Sequence, residues 1–239
     1  MAETRFPDVM VLAAGLGKRM LPLTQTTPKP LLEVAQKPLI DHVVANARSE
    51  GATRFVVNAH HLADQLEAHV AMLEASLEGT SFALSHEAER LLETGGGAKR
   101  ALPLLETDPF FVMNADSFWP LGADRPLGRM IERFDAAVAD MVLLCVHPRD
   151  ATGFRRSHDF CLDPRGRLTK DIGAPVIYSG VALISRSIVE AHESEVFSLY
   201  ALIERSLEDG RLLGVVLDAT WFHVGDPAAL ALAEDVLRS

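Results

Sequence analysis

Short runs of almost unbroken apolar residues punctuate the chain at 9–13, 55–57, 110–113 and 141–146. Runs of this length without polar alternation are expected of strands covered on both faces. Between them, apolar residues return at helical spacing. Ile40, Val43, Val44 and Ala47 mark one face of a helix that opens at Pro38-Leu39-Ile40 and is stopped by Gly51, and Leu62, Leu66, Val70, Leu73 and Leu77 mark a second. Residues 80–85 alternate weakly as a further strand, 98–105 read as a short helix, and 126–137 as an amphipathic one. Strand alternating with helix predicts an α/β fold on a mostly parallel sheet.

The pattern changes after residue 146. Residues 147–156 read as a loop, and Phe160-Cys161-Leu162 and Arg167-Leu168-Thr169 as a hairpin across Asp163-Pro164-Arg165-Gly166. A strand over 176–184 has Tyr178-Ser179-Gly180 in its middle. It is followed by a helix from Phe197-Ser198-Leu199 to about Gly210 with Ser198 as N-cap, strands over 212–217 and 220–224, and a last helix over 228–237. No repeat, low-complexity tract or linker interrupts the 239 residues, so one domain over 1–239 is expected.

A net charge of −10 argues against a nucleic-acid or anionic-membrane surface. No apolar run reaches the ~18 residues that a bilayer span requires, and Met1-Ala2-Glu3-Thr4-Arg5 carries no signal segment, so a cytoplasmic protein is expected. Cys145 and Cys161 lack Cys-x-x-Cys spacing and are expected as reduced thiols. His60, His61 and His69 lack a third partner at metal-ligand spacing, so hydrogen-bonded or solvated histidines are expected there.

The candidate chemistry begins where the first strand ends. Gly15-Leu16-Gly17 permits positive φ and close backbone approach, Arg19 follows two residues later, and Lys29 stands between Pro28 and Pro30. A turn of bare backbone with two cations beside it reads as a triphosphate cradle. The spacing is not that of a Walker A loop, which needs four residues between its glycines and a Lys-Ser/Thr pair after them. Nor is it a dinucleotide fingerprint: Met20 stands where the third glycine belongs, and Asn58-Ala59 stand where the acidic residue belongs. Gly95-Gly96-Gly97 reads as a second loop whose exposed backbone groups can read a base edge. Asp116, at the carboxyl end of the fourth strand run, shares a sheet edge with the cradle; it is placed either to hold Mg²⁺ or to make a turn.

The string Leu12-Ala13-Ala14-Gly15-x-Gly17-x-Arg19-x-x-Pro22-Leu23-Thr24, with Pro28-Lys29-Pro30-Leu31, resembles the signature of sugar-phosphate nucleotidyltransferases. Leu92-Glu93-Thr94-Gly95-Gly96-Gly97 looks like the version in the N-acetylmuramate 1-phosphate uridylyltransferase branch and its mannose 1-phosphate guanylyltransferase relatives. The resemblance implies a Rossmann-like three-layer α/β/α fold with a mixed, mostly parallel sheet and a small β-rich sugar-binding insertion. Nucleotide would bind in about 1–146 and sugar in about 147–239. It implies catalysis by Arg19, Lys29 and Asp116, and nucleotide contacts from Leu12, Ala13, Ala14, Gly15, Gly17, Glu87, Thr94, Gly95 and Asn114. Gly153, Lys170, Tyr178 and Gly180 would face the sugar phosphate, and Arg155-Arg156 either bind a carboxylate on the sugar or are solvated. The reaction implied joins a nucleoside triphosphate, UTP by the local text, to a sugar 1-phosphate, N-acetylmuramate 1-phosphate, in peptidoglycan recycling.

The chain departs from the family pattern in one stretch, at His223 and at Asp226, where the family places a threonine. His223 stands where the second, acidic metal ligand is expected, so Mg²⁺ or Mn²⁺ would be held by Asp116 with His223, by Asp116 with Asp226, or by Asp116 with phosphate and water alone. Asp226, just before Pro227, has a helix N-cap as its other reading. The departure keeps a second class open, a regulatory subunit that binds a nucleotide sugar without chemistry. Mannose 1-phosphate with GTP and glucose 1-phosphate with UTP or dTTP remain as alternative substrates, and homo-oligomerisation is left open.

Overall fold

The computed structural model describes residues 5–122 and 125–238; the expectation for Met1 to Thr4 lies outside them. From β1 (Val9–Leu12) the chain passes through three single 3-10 turns to a hairpin, β2 (Glu33–Val34) and β3 (Lys37–Pro38), and then α1 (Leu39–Ser49). β4 (Arg54–Ala59), α2 (Ala63–Ser76), β5 (Ser81–His86), α3 (Glu93–Ala101), β6 (Phe110–Asn114), β7 (Ser117–Phe118), α4 (Pro126–Arg133) and β8 (Met141–Val146) follow. The remainder carries β9 (Ala151–Thr152), β10 (Phe160–Leu162), β11 (Leu168–Thr169), β12 (Ala174–Ile184), α5 (Arg186–Glu190), α6 (Leu199–Glu208), β13 (Leu212–Leu217), β14 (Trp221–His223) and α7 (Pro227–Arg238).

The apolar runs form the centre of a nine-stranded sheet ordered β5-β4-β1-β6-β12-β8-β13, with β10 and β11 added along the first half of β12. β5, β4, β1 and β6 are parallel, β12 runs against both of its neighbours, and β8 and β13 are parallel to each other. Alternate residues leave the sheet on opposite faces, which explains why polar alternation is missing. Val9, Val11, Phe55 and Val57 pack with Ile40, Val43 and Leu66 of α1 and α2, while Met10, Val56 and Val112 pack with Ala98, Leu202 and Ile203 of α3 and α6. The result is the expected three-layer α/β/α arrangement.

Several elements differ from expectation, among them β9, which lies inside the 147–156 stretch read as a loop, and the helices α4 and α3. α4 stops at Arg133 rather than running to 137, because Asp135 takes over: its side chain accepts the Ala137 amide at 2.9 Å and its carbonyl accepts those of Val138 and Ala139. The three glycines are not a loop. They lie buried inside α3, where the Gly95 and Gly96 amides donate to the Phe197 carbonyl at 2.9 and 3.0 Å. A Cβ on Gly96 would stand 2.2 Å from the backbone carbonyl oxygen of Glu195, so the missing side chains serve close approach of the helix to this segment. Gly96→Ala is expected to lower stability by about 2 kcal/mol despite alanine's better helix propensity, read as a drop in thermal midpoint.

A second, small sheet β7-β14-β9 positions the chemistry. β14 pairs antiparallel with β7, setting His223 opposite Ser117, and the Val224 amide donates to the Asp116 carbonyl at 2.9 Å.

Candidate active site

β1 and β6 lie side by side with Leu12 opposite Asn114, so the segments that leave them open onto one edge of the sheet, where open α/β folds bind ligands. There the chain encloses a cavity of about 520 Å³. Its walls include Leu12, Ala13, Ala14, Gly15, Gly17, Arg19 and Lys29 from the first segment, Asn114 and Asp116 from the second, and Thr94 from the start of α3.

The glycine turn is held open by its neighbours. Gly17 has φ +60°, and a Cβ there would meet Thr24 Cγ2 at 2.6 Å. The Thr24 hydroxyl donates to the Gly17 carbonyl at 2.9 Å, and the Thr24 carbonyl accepts from His61 Nε2 at 2.8 Å. Among the described residues the amides of Gly15, Leu16 and Gly17 donate to no protein acceptor, which leaves them available to an anion. Across the cavity Glu93 turns the chain into α3 at φ +62°, a left-handed conformation unusual for a residue with a side chain. The Thr94 hydroxyl accepts the Leu199 amide at 2.8 Å, and Ser198 caps α6 as expected.

The charged groups converge. Lys29 pairs with Asp116 Oδ2, Ser117 donates to Oδ1 at 3.3 Å, and His223 Nε2 stands 3.8 Å from Oδ2. Arg19 is exposed and forms no ion pair among the described residues. Gly225 makes room between it and His223: a Cβ there would lie 2.7 Å from His223 Cε1 and 3.4 Å from Arg19 Nη1. Burial would push the Asp116 carboxyl up, but Lys29, His223 and the hydrogen bonds from Lys29 and Ser117 outweigh it and hold the group below the usual carboxylate range. Burial, aided by Lys29 and Arg19, outweighs the pull of Asp116 and lowers the His223 imidazole, which is therefore neutral at neutral pH.

A neutral imidazole whose Nε2 faces an ionised carboxylate makes with it a metal-capable pair. Among the described residues no third histidine, cysteine or acid joins them. The Asp116 carboxylate suits Mg²⁺ or Mn²⁺, which take few protein ligands and fill their shells with phosphate oxygen and water, whereas the His223 imidazole favours Mn²⁺ or a softer ion over Mg²⁺. Asp226 is occupied elsewhere: Oδ1 accepts the Ala229 amide at 2.9 Å as N-cap of α7, and Oδ2 meets Arg155 at 2.8 Å.

Other expected contacts are redistributed. Glu87 is buried behind the cavity, not on its wall. Gly95 lines neither wall, since its amide is committed to Phe197. Gly180 lies against Asn114, where a Cβ would be 2.6 Å from Nδ2, and Gly153 lies against the His223 carbonyl, so both flank the Asp116 end. Tyr178 packs with Cys145 in the core, and Lys170 is exposed and outside the cavity wall. Arg156 pairs with Asp159 at 2.9 Å and stands over the Phe154 ring. Lys18, Asn58 and Ser198 line the cavity without having been singled out as contacts. The three histidines set aside earlier are hydrogen-bonded, His60 to the Glu87 carbonyl, His61 to Thr24 and His69 to Asp41.

A three-layer fold with a glycine turn, two cations and a carboxylate around one cleft defines an enzyme that transfers nucleotidyl groups. The nucleotidyl transferase family model matches residues 8–154, and the chain belongs to that family, as a sugar-1-phosphate nucleotidyltransferase. It is 40% identical over 228 residues to N-acetylmuramate alpha-1-phosphate uridylyltransferase of Caulobacter vibrioides, covering 94% of each chain. It is 32% identical to the protein of that name from Neisseria meningitidis serogroup B, covering 94% of this chain and 96% of the relative. Among solved structures, a UTP-bound UGPase from Acinetobacter baumannii superposes with a TM-score of 0.76 at 18% identity over 97% of this chain and 93% of that one.

Proposed function

We propose that this chain transfers a uridylyl group from UTP to N-acetylmuramate 1-phosphate and releases pyrophosphate, in the recycling of peptidoglycan sugars. The observation that carries the chemistry is the convergence of Arg19, Lys29 and Asp116 on one cavity, with His223 beside Asp116 and the glycine-turn amides free of protein acceptors among the described residues. The choice of nucleotide and sugar rests on the two uridylyltransferase relatives. Because the reaction consumes a nucleoside triphosphate, we place it in the cytoplasm, and we take residues 1–239 as one catalytic unit.

A sugar phosphate, with a second pKa of about 6, is already a dianion at neutral pH and needs no general base. The barrier is instead repulsion between polyanions, of order 4 kcal/mol per charge pair at about 4 Å and an effective dielectric of ~20. The amides of Gly15 to Gly17 and the Arg19 guanidinium hold the β- and γ-phosphates, and Lys29 sits at the α-phosphate. The sugar phosphate oxygen attacks the α-phosphorus, a new P–O bond forms, and the bond to the bridging oxygen breaks as pyrophosphate leaves. A divalent cation on Asp116 and His223 would neutralise charge on the α-phosphate and orient it.

A panel of triphosphates against sugar 1-phosphates, followed by pyrophosphate release, tests the assignment. UTP with N-acetylmuramate 1-phosphate is expected to give the highest kcat/KM. Turnover only with GTP and mannose 1-phosphate overturns the substrate choice, and nucleotide binding with no pyrophosphate from any pair overturns catalysis.

A further inference from the structure

The glycine turn is held from behind by a buried pair that the chemistry above does not use. Asn58, near the end of β4, and Glu87, just past β5, are 3% and 1% exposed. Asn58 Oδ1 accepts the Ala13 and Ala14 amides at 2.6 and 3.2 Å, and Asn58 Nδ2 donates to Glu87 Oε1 at 2.7 Å. Glu87 Oε2 in turn accepts the Leu92 amide at 2.8 Å. A chain of hydrogen bonds therefore runs from the triphosphate turn to the residue that precedes Glu93 and Thr94 on the opposite wall. Glu87 is itself tied down, its amide donating to the Ala59 carbonyl at 2.9 Å and its carbonyl accepting from His60 Nδ1 at 2.7 Å. Gly97 of α3 closes over the pair, where a Cβ would lie 2.8 Å from both Asn58 Nδ2 and Glu87 Oε1.

The bonding dictates the residue types. Position 58 must accept two amides on one atom and donate from the other, which a carboxamide does and a carboxylate does not. Position 87 faces two donors and needs two acceptor oxygens; a carboxamide there would set its NH₂ against an N–H. Among the described residues no cation forms an ion pair with Glu87. An apolar residue at 87 would leave the Asn58 NH₂ and the Leu92 amide without these acceptors in the interior, a costly loss for buried donors.

We propose that Asn58 and Glu87 are positioning residues that set the separation of the glycine turn from the Glu93–Thr94 wall, so that the cavity receives the nucleotide preorganised. The proposal rests on the reading of this cavity as the nucleotide site. Its effect falls on nucleotide binding, because neither side chain contacts Asp116, Lys29 or His223.

The test is an exchange of the two groups. Asn58→Asp sets two carboxylates against each other, and Glu87→Gln sets an NH₂ against a donor. The double variant N58D/E87Q keeps every bond: the carboxylate at 58 accepts from Ala13 and Ala14 and from the new carboxamide, whose oxygen accepts from Leu92. Net charge is unchanged. Each single variant is expected to raise the UTP KM ~10-fold, with kcat at saturating UTP and the sugar 1-phosphate KM within ~3-fold of wild type. The double variant is expected to recover the UTP KM to within ~3-fold of wild type, with calorimetric UTP affinity following the same order. A folded single variant with wild-type UTP KM overturns the proposal. So does a double variant no better than the weaker single, or a loss confined to kcat. Should N58D fail to fold, E87Q and the double variant decide by the same criteria. Wild-type protein that binds no UTP overturns the nucleotide reading itself, whereas failure of the positioning role alone appears in the variants with wild-type binding intact.

Discussion

Replacing Lys29 with alanine is expected to cut turnover at least ~10²-fold without unfolding the protein. Lys29 opens a single 3-10 turn between Pro28 and Pro30, whose rings fix φ on both sides, so the ammonium is delivered to one place at little conformational cost. That place is the Asp116 carboxylate, at the cavity wall and next to the glycine turn proposed to hold the triphosphate. A cation fixed in a part-enclosed site neutralises charge developing on the α-phosphate without reorganising, which is where most of its contribution arises. Lys29→Arg retains charge but brings a planar fork to a position that accepts a point cation, so it should fall between wild type and Lys29→Ala. Initial rates of pyrophosphate release at saturating substrates, with thermal melts on the same samples, check this. A well-folded Lys29→Ala within ~3-fold of wild-type kcat would remove Lys29 from the mechanism.

The parts of the molecule that could be read from residues alone are those in which local pattern and tertiary role coincide. Two-faced apolar runs announce buried strands, and β1, β4, β6 and β8 lie where those runs are. Arg19, Lys29 and Asp116 stand in contiguous motifs at strand ends, and they meet at one cavity. What escaped depends on contacts between distant segments. β7 and β9 are too short to carry periodicity, yet their pairing with β14, which is legible in the sequence, brings His223 to within 3.8 Å of Asp116. Three glycines in a row read locally as a loop, whereas their placement in α3 follows from the Phe197 carbonyl and the Glu195 backbone, a hundred residues on. Asn58 registered only as a missing acid, because its partners at Ala13, Ala14 and Glu87 come from three separate stretches. Lys170 has no local feature that ties it to the site, and it stands outside the cavity wall.

Asp116→Ala should have the largest effect, a loss of at least ~10³-fold in kcat/KM, equivalent to about 4 kcal/mol of transition-state stabilisation. Among the described residues Asp116 is the one carboxylate on the cavity wall that also contacts both Lys29 and His223, so its removal takes away the anionic donor proposed for a divalent ion and unseats Lys29 together. The losses are therefore not independent: the double variant K29A/D116A should be little worse than Asp116→Ala alone, a non-additivity expected of groups in one network. The same pairing gives a stability signature in metal-free protein. Because the folded Asp116 carboxyl is held below the usual carboxylate range, its ionised form stabilises the fold above the unfolded-state value of about 3.9, and that contribution is lost as pH falls through the lower folded value. Asp116→Asn should consequently show a shallower acid limb in denaturant midpoints measured below about pH 5. If Asp116→Ala keeps kcat/KM within ~10-fold of wild type, or if the Lys29 and Asp116 losses multiply, the two side chains do not act on one bound triphosphate.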